Sequence, residues 1–197
     1  MDLLQSRLLG PEALVQSLHK GAPAIIPTDT LPALTASPSH AHKLWELKNR
    51  PAKKPFILMG ACPQDLFKSV LPLARVDAEL MARKFWPGAL TLVLPSSGDF
   101  LKSLNLVTDS LGMRVPDCEM TISMLKRSGP LATTSANLSG APPSLSELEA
   151  ARVFPSIPLL APIPWPKASG LASTVLAWQS EGSWKVLRKG AVLPELL

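Results

Sequence analysis

Apolar and polar positions follow two rhythms along this chain, and the changes between them mark out its elements. Helical spacing governs 11–21 (PEALVQSLHKG), with proline in the first turn and glycine after the end. It returns at 39–48 (SHAHKLWELK), where Leu44, Trp45 and Leu47 gather on one side. Further helices are predicted at 62–71, 76–86 and 117–129, and at 144–154, where Ser144 and Glu147 stand at capping-box spacing. Short apolar runs bounded by turn residues predict strands at 24–27 (AIIP), 56–59 (FILM), 90–95 (LTLVLP), 112–116 (GMRVP) and 131–134 (LATT). Two more, 173–178 (STVLAW) and 184–190 (WKVLRKG), are joined by the polar turn QSEGS. Strands and helices intermix over the whole length with no internal repeat or linker. This predicts one α/β domain over 1–197, built on a twisted, mixed sheet.

Composition narrows the class. A hydrophobic share of 46% is ample for a core, and 21 prolines, about double the usual share of roughly 5%, are dispersed as punctuation rather than gathered in PxxP arrays. The longest apolar stretch, 153–165, is broken by four prolines, so no run spans a bilayer, and the first residues lack the basic flank of a signal peptide. Cys62 and Cys118 have no metal-ligand spacing and read as reduced, core-packed thiols in a cytosol-like compartment. The net charge of +5 favours an anionic partner: a nucleotide, tRNA or another polyanion. With no tyrosine and few phenylalanines, a stacking platform for single strands is not expected.

Phosphate-loop, GxGxxG, GxSxG and HExxH signatures are all missing, and His40 and His42, two apart at a helix start, read as an exposed pair rather than a metal site. Polar residues instead collect at strand ends. Thr28, Asp29 and Thr30 follow the first strand. Pro51 disfavours helical geometry at Arg50, so Lys48 and Arg50 are expected to point the same way from an extended segment, as a cationic clamp suited to phosphate or as a solvated basic loop. Strand alternation puts Gly112 and Arg114 on one face and Met113 and Val115 on the other; Arg114 then needs an anionic ligand or an acidic partner. The run 133–140 (TTSANLSG) is a poor core and strand former but offers hydroxyls, an amide and approachable backbone N–H groups. ASGLASTV (168–175) and Arg188 complete the set.

In their order and separations PTDT (27–30), KNRPAKKP (48–55), FWPGALTLVL (85–94), GMRVPD (112–117), ATTSANLSG (132–140), STV (173–175) and VLRKG (186–190) resemble the YrdC-domain family of threonylcarbamoyl-AMP synthases, in its short, single-domain TsaC form. The resemblance covers nearly the whole chain. It implies a twisted mixed β-sheet with helices on both sides and a basic concave cleft. It also implies a cytoplasmic nucleotidyltransferase that condenses L-threonine, bicarbonate or CO2, and ATP into threonylcarbamoyl-AMP and pyrophosphate. Other proteins would then transfer the activated group to adenosine 37 of tRNA. By the same resemblance Lys48, Arg50, Ser110, Ser135, Asn137 and Arg188 serve ATP, and Thr30, Arg114 and Ser173 serve threonine, with Lys48, Arg50 and Arg114 carrying the chemistry. Mg2+ is expected to come with ATP, held by phosphates and water rather than by a protein cage.

The chain departs from the family pattern at the amino-acid end. Where the usual form is close to PTDTVYGL, Pro32 replaces a tyrosine and Ala33 a glycine, and Met59 stands where some relatives place a substrate-contacting histidine. Two alternatives follow: a double-stranded RNA or tRNA-binding module without synthase activity, and an ATP-dependent carbamoylating paralogue that uses another amine.

Overall fold

The computed structural model describes residues 2–49, 55–104 and 108–192. Its strands are β1 (Leu8–Leu9), β2 (Ala24–Ile26), β3 (Ala33–Ala36), β4 (Ile57–Met59), β5 (Leu90–Pro95), β6 (Ser110–Arg114), β7 (Leu131–Ser135), β8 (Leu159–Leu160), β9 (Thr174–Trp178) and β10 (Trp184–Arg188). Its helices are α1 (Asp2–Gln5), α2 (Pro11–His19), α3 (His42–Lys48), α4 (Pro63–Phe67), α5 (Pro72–Phe85), α6 (Asp99–Leu104), α7 (Glu119–Ser128) and α8 (Glu147–Val153). The strands form one sheet in the order β1-β8-β2-β3-β7-β4-β6-β5-β9-β10. Parallel pairs (β1/β8, β2/β8, β4/β6, β5/β9) mix with antiparallel ones (β2/β3, β3/β7, β4/β7, β5/β6, β9/β10), as the intermixed pattern predicts.

Alternation along each strand divides the apolar side chains between two layers. Ile25, Leu34, Leu58, Leu92, Met113, Ala132 and Leu159 pack in the larger one, under Leu44 of α3, Phe67 of α4, Ala78 of α5 and Ala150 of α8. Their neighbours Ile26, Ala33, Met59, Leu131 and Leu160 point the other way, under Leu14 and Leu18 of α2 and Met124 of α7. Helices thus lie on both sides. Among the described residues, no helix is long and apolar enough to cross a membrane.

Three local expectations change. Strand β3 occupies 33–36, where the sequence predicts no strand. Its small residues pair on both edges, and buried Thr35 sends its hydroxyl to the Ala132 carbonyl, so the strand is fixed by neighbours distant in sequence. The proline-broken 153–165 contributes the two-residue strand β8. The helix cap uses the second of two overlapping frames. Ser146 accepts from the Glu149 amide and the Glu149 carboxylate accepts from Leu145, whereas buried Ser144 donates to the Ala136 carbonyl. Of the two cysteines, Cys118 is buried and Cys62 half-buried, its thiol directed at Asp65.

Leu58 is 0% exposed at the centre of the sheet. Leu58→Ala is expected to lower the free energy of unfolding by about 2–5 kcal/mol, the range for emptying a packed leucine site. Ser146→Ala is expected to cost about 1 kcal/mol through the lost cap. Denaturant unfolding of both variants checks the pair.

Candidate functional site

On the α2/α7 side the sheet is covered only in part. Across β7, β4, β6 and β5 the register aligns Thr133, Ile57, Gly112 and Val93 in one row. Gly112 adds no side chain to this floor; a Cβ there would lie in ordinary van der Waals contact with Ile57, Thr91 and Val93. Beside it opens a cavity of about 300 Å³ whose lining includes Thr30, Arg114, Ser135, Asn137, Ser173 and Arg188. Six of the nine residues named from the sequence therefore converge. Pro32, Ala33 and Met59, the points of departure from the family pattern, line the same cavity.

The β2–β3 turn builds one end. The Thr28 hydroxyl accepts from the amides of Thr30 and Leu31, which tightens the turn. Asp29 and Thr30 then meet Arg114 at the end of β6. Nη2 of Arg114 donates to Asp29 Oδ1 at 2.6 Å, Nη1 to Thr30 Oγ1 at 2.8 Å and Nε to the Gly88 carbonyl at 2.9 Å. The acidic partner that the sequence demands for Arg114 is thus Asp29, which the sequence reading leaves without a role. Burial is the main influence on the Arg114 guanidinium and lowers its pKa; Asp29 opposes that shift, and nearby Arg188 adds to it. Arg114 has five N–H bonds, and three are used.

At the other wall Arg188, in a bulged part of β10, donates from Nε to the Ser173 carbonyl and from Nη2 to Ser173 Oγ. Ser173 Oγ also bonds Thr91 Oγ1 at 2.8 Å, so strands β5, β9 and β10 all fix this hydroxyl. Gly190 permits the arrangement: a Cβ there would lie 2.2 Å from the Ala172 carbonyl oxygen. Partial burial also lowers the pKa of Arg188.

The 135–140 loop forms the third wall. Its Ser135 hydroxyl donates to Asn137 Oδ1, and the Asn137 amide group donates to the carbonyls of Leu138 and Ala141. The Ala136 amide donates to Pro32, tying this loop to the opening turn.

Lys48 differs from its sequence expectation. It ends helix α3 instead of starting an extended segment, and Asn49 turns the chain through a left-handed conformation (φ 47°) that Asn tolerates better than most residues. The Lys48 side chain is 1% exposed. Its ammonium donates to the carbonyls of Ser135 and Asn137 and, at 3.3 Å, to Asn137 Oδ1, while its own carbonyl accepts from Ser139. The lysine therefore grips the loop from behind. Arg50, the other half of the expected clamp, lies outside the described residues; Lys48 itself is anchored in the fold. Ser110 shares the Arg114 face of β6 but starts the strand, four residues or about 13 Å from Arg114; it bonds Thr108 Oγ1 and is outside the cavity lining. His40 and His42 are 6.2 Å apart, ring centre to ring centre, and His40 is held by Ser37.

No separate role follows from the sequence for Thr91 and Gly88, which reach the site through their hydrogen bonds to Ser173 and Arg114. Lys48→Met is expected to lower the free energy of unfolding by about 1–3 kcal/mol, because buried loop carbonyls lose their donor; denaturant unfolding measures it.

Comparisons with known proteins agree with this fold. A family model covering Sua5, YciO and YrdC proteins, described as telomere recombination, matches residues 16–190. A threonylcarbamoyl-AMP synthase of Mus musculus is 34% identical over 190 residues, covering 92% of this chain and 67% of its own. One from Pyrococcus abyssi is 33% identical over 144 residues, covering 70% of this chain and 41% of its own. The crystal structure of P. abyssi Sua5 complexed with L-threonine superposes with a TM-score of 0.83 at 29% identity, covering 91% of this chain and 54% of that one. The chain thus spans about half to two thirds of the longer relatives it resembles over most of its own length, and it belongs to the Sua5–YciO–YrdC family.

Proposed function

We propose that this chain is an L-threonylcarbamoyladenylate synthase, a nucleotidyltransferase that supplies threonylcarbamoyl-AMP for the modification of tRNA at adenosine 37. The observation that carries the reading is Arg114. It is buried, oriented by three acceptors, and keeps one unspent N–H on each terminal nitrogen beside a cavity with the hydroxyls of Thr30 and Ser173. Such a fork matches an amino-acid carboxylate in a bidentate pair. The kinship to a Sua5 protein crystallised with L-threonine supports the same choice of ligand.

In the proposed reaction the amine of threonine adds to CO2 and loses a proton, giving a carbamate. A carbamate oxygen attacks the α-phosphorus of ATP, the bond to the bridging oxygen breaks, and pyrophosphate leaves. No protein nucleophile is needed; positioning and charge neutralisation suffice. Arg188 uses two of its five N–H bonds on Ser173 and has three left for phosphate. Ser135 and Asn137 present the nucleotide wall, and Lys48 stabilises it by holding their carbonyls. Arg50 and Ser110 extend the nucleotide site on this reading. Mg2+ would arrive on the phosphates of ATP, held by them and by water. A cytoplasmic place and downstream transfer proteins go with this role.

The test follows pyrophosphate release from ATP, bicarbonate and Mg2+ with each amino acid in turn. Threonine-dependent release is expected. Release with a different amine points to a paralogue, its pocket reshaped by Pro32, Ala33 and Met59. Binding of double-stranded RNA or tRNA, steeply weakened by salt and without release, points to a binding module. Arg114→Ala is expected to raise KM for threonine about tenfold or more while leaving KM for ATP within about twofold, and Arg114→Lys does not restore it because an ammonium cannot form the fork.

A further inference from the structure

Asp29 is the junction on which the amino-acid end of the cavity is assembled. Its Oδ1 accepts from Arg114 Nη2 at 2.6 Å and from the Asp117 amide at 3.0 Å, fastening the end of β6 to the segment that enters α7. Its backbone carbonyl accepts from Ser169, and the next carbonyl, that of Thr30, accepts from Gly170. Those two bonds draw the 168–172 loop over the β2–β3 turn and deliver Ala172 and Ser173 to the cavity. This short turn therefore joins three parts of the chain that are distant in sequence: itself, the 114–117 stretch and the 168–172 loop. Asp29 itself is outside the cavity lining, with its side chain 16% exposed.

We infer that Asp29 is the positioning residue of this site: it sets the rotation of the Arg114 guanidinium so that the two unspent N–H bonds face the cavity as a carboxylate fork. Thr30 holds Nη1 and the Gly88 carbonyl holds Nε, but Nη2 has Asp29 as its acceptor. Without that contact the guanidinium plane swings about its remaining bonds and the fork loses its aim. Both side-chain bonds of Asp29 fall on the same oxygen. An asparagine with its carbonyl oxygen in that place keeps both bonds and removes only the charge, whereas alanine removes both. The inference rests on the synthase reading only for its kinetic consequence; the orientation of Arg114 is a property of the protein alone.

Two measurements test it on the full chain. In the first, 15N-labelled arginine spectra, with the Arg114 signals assigned from Arg114→Lys, report hindered rotation of the terminal nitrogens. Wild type and Asp29→Asn are expected to show hindered, resolved Nη signals, and Asp29→Ala a single averaged one. An Asp29→Ala spectrum like the wild type overturns the inference. So does averaging in Asp29→Asn, a readout that stands if the alanine variant does not fold. In the second, Asp29→Ala is expected to raise KM for threonine about tenfold or more, with KM for ATP and kcat within about twofold, and Asp29→Asn to keep KM for threonine within about threefold of wild type. Equal shifts in both KM values, or a fall in melting temperature without the split, mark Asp29 as merely structural and overturn the inference. If wild type releases no pyrophosphate with threonine, the synthase reading fails, and the arginine spectra still decide the role of Asp29.

Discussion

Taking a guanidinium out of water demands that its donors be met, and much of this site can be understood as the answer to that demand at Arg114. The residue ends a central strand, is 4% exposed, and cannot shed its proton at ordinary pH. Asp29, Thr30 and the Gly88 carbonyl meet three of its five N–H bonds. To supply them, the β2–β3 turn must reach across to the end of β6, and the Trp86–Gly88 segment must bring a carbonyl to the same point. A cavity wall results from satisfying one charge.

The sheet makes the reach possible. Alternation sends Leu34, Leu58, Met113 and Ala132 into the deeper layer, while the opposite parity carries Ala33, Met59 and Arg114. Helices α2 and α7 cover the flank of that second face nearest β2, and the small or half-buried side chains of Gly112 and Val93 leave the adjoining strands accessible. A single parity rule thus serves both core and site, and a one-residue slip in β6 would put Met113 on the site face and Arg114 in the core.

Much of this was readable from local signals. Helices α2, α5 and α7 carry their periodicity and their proline or glycine punctuation within a single window, and β5 is a plain apolar run. The unforeseen parts depend on partners far along the chain. Strand β3 is a run of small residues whose pairing to β7 no local pattern encodes. The cap frame at α8 turns on Ser144 being spent on Ala136. For the site, motif order named six residues that meet at one cavity. Lys48 is helical rather than extended, because the left-handed turn at Asn49 ends the helix only after the lysine has been placed inside. Asp29 stood in view in the PTDT stretch, yet nothing beside it in sequence says that its partner is 85 positions away.

The contact of Gly190 with the Ala172–Ser173 backbone has a bearing on how such a pocket can diversify. No side chain fits between these two segments, so the path of β10 and the placement of Ser173 behave as a single rigid part. Under the proposed function Arg188 serves ATP and Ser173 serves threonine, yet they ride on that part together. Drift in the preference for one substrate is then felt by the other, and the freer route to altered selectivity runs through the opposite wall, where Pro32, Ala33 and Met59 already differ from the common pattern.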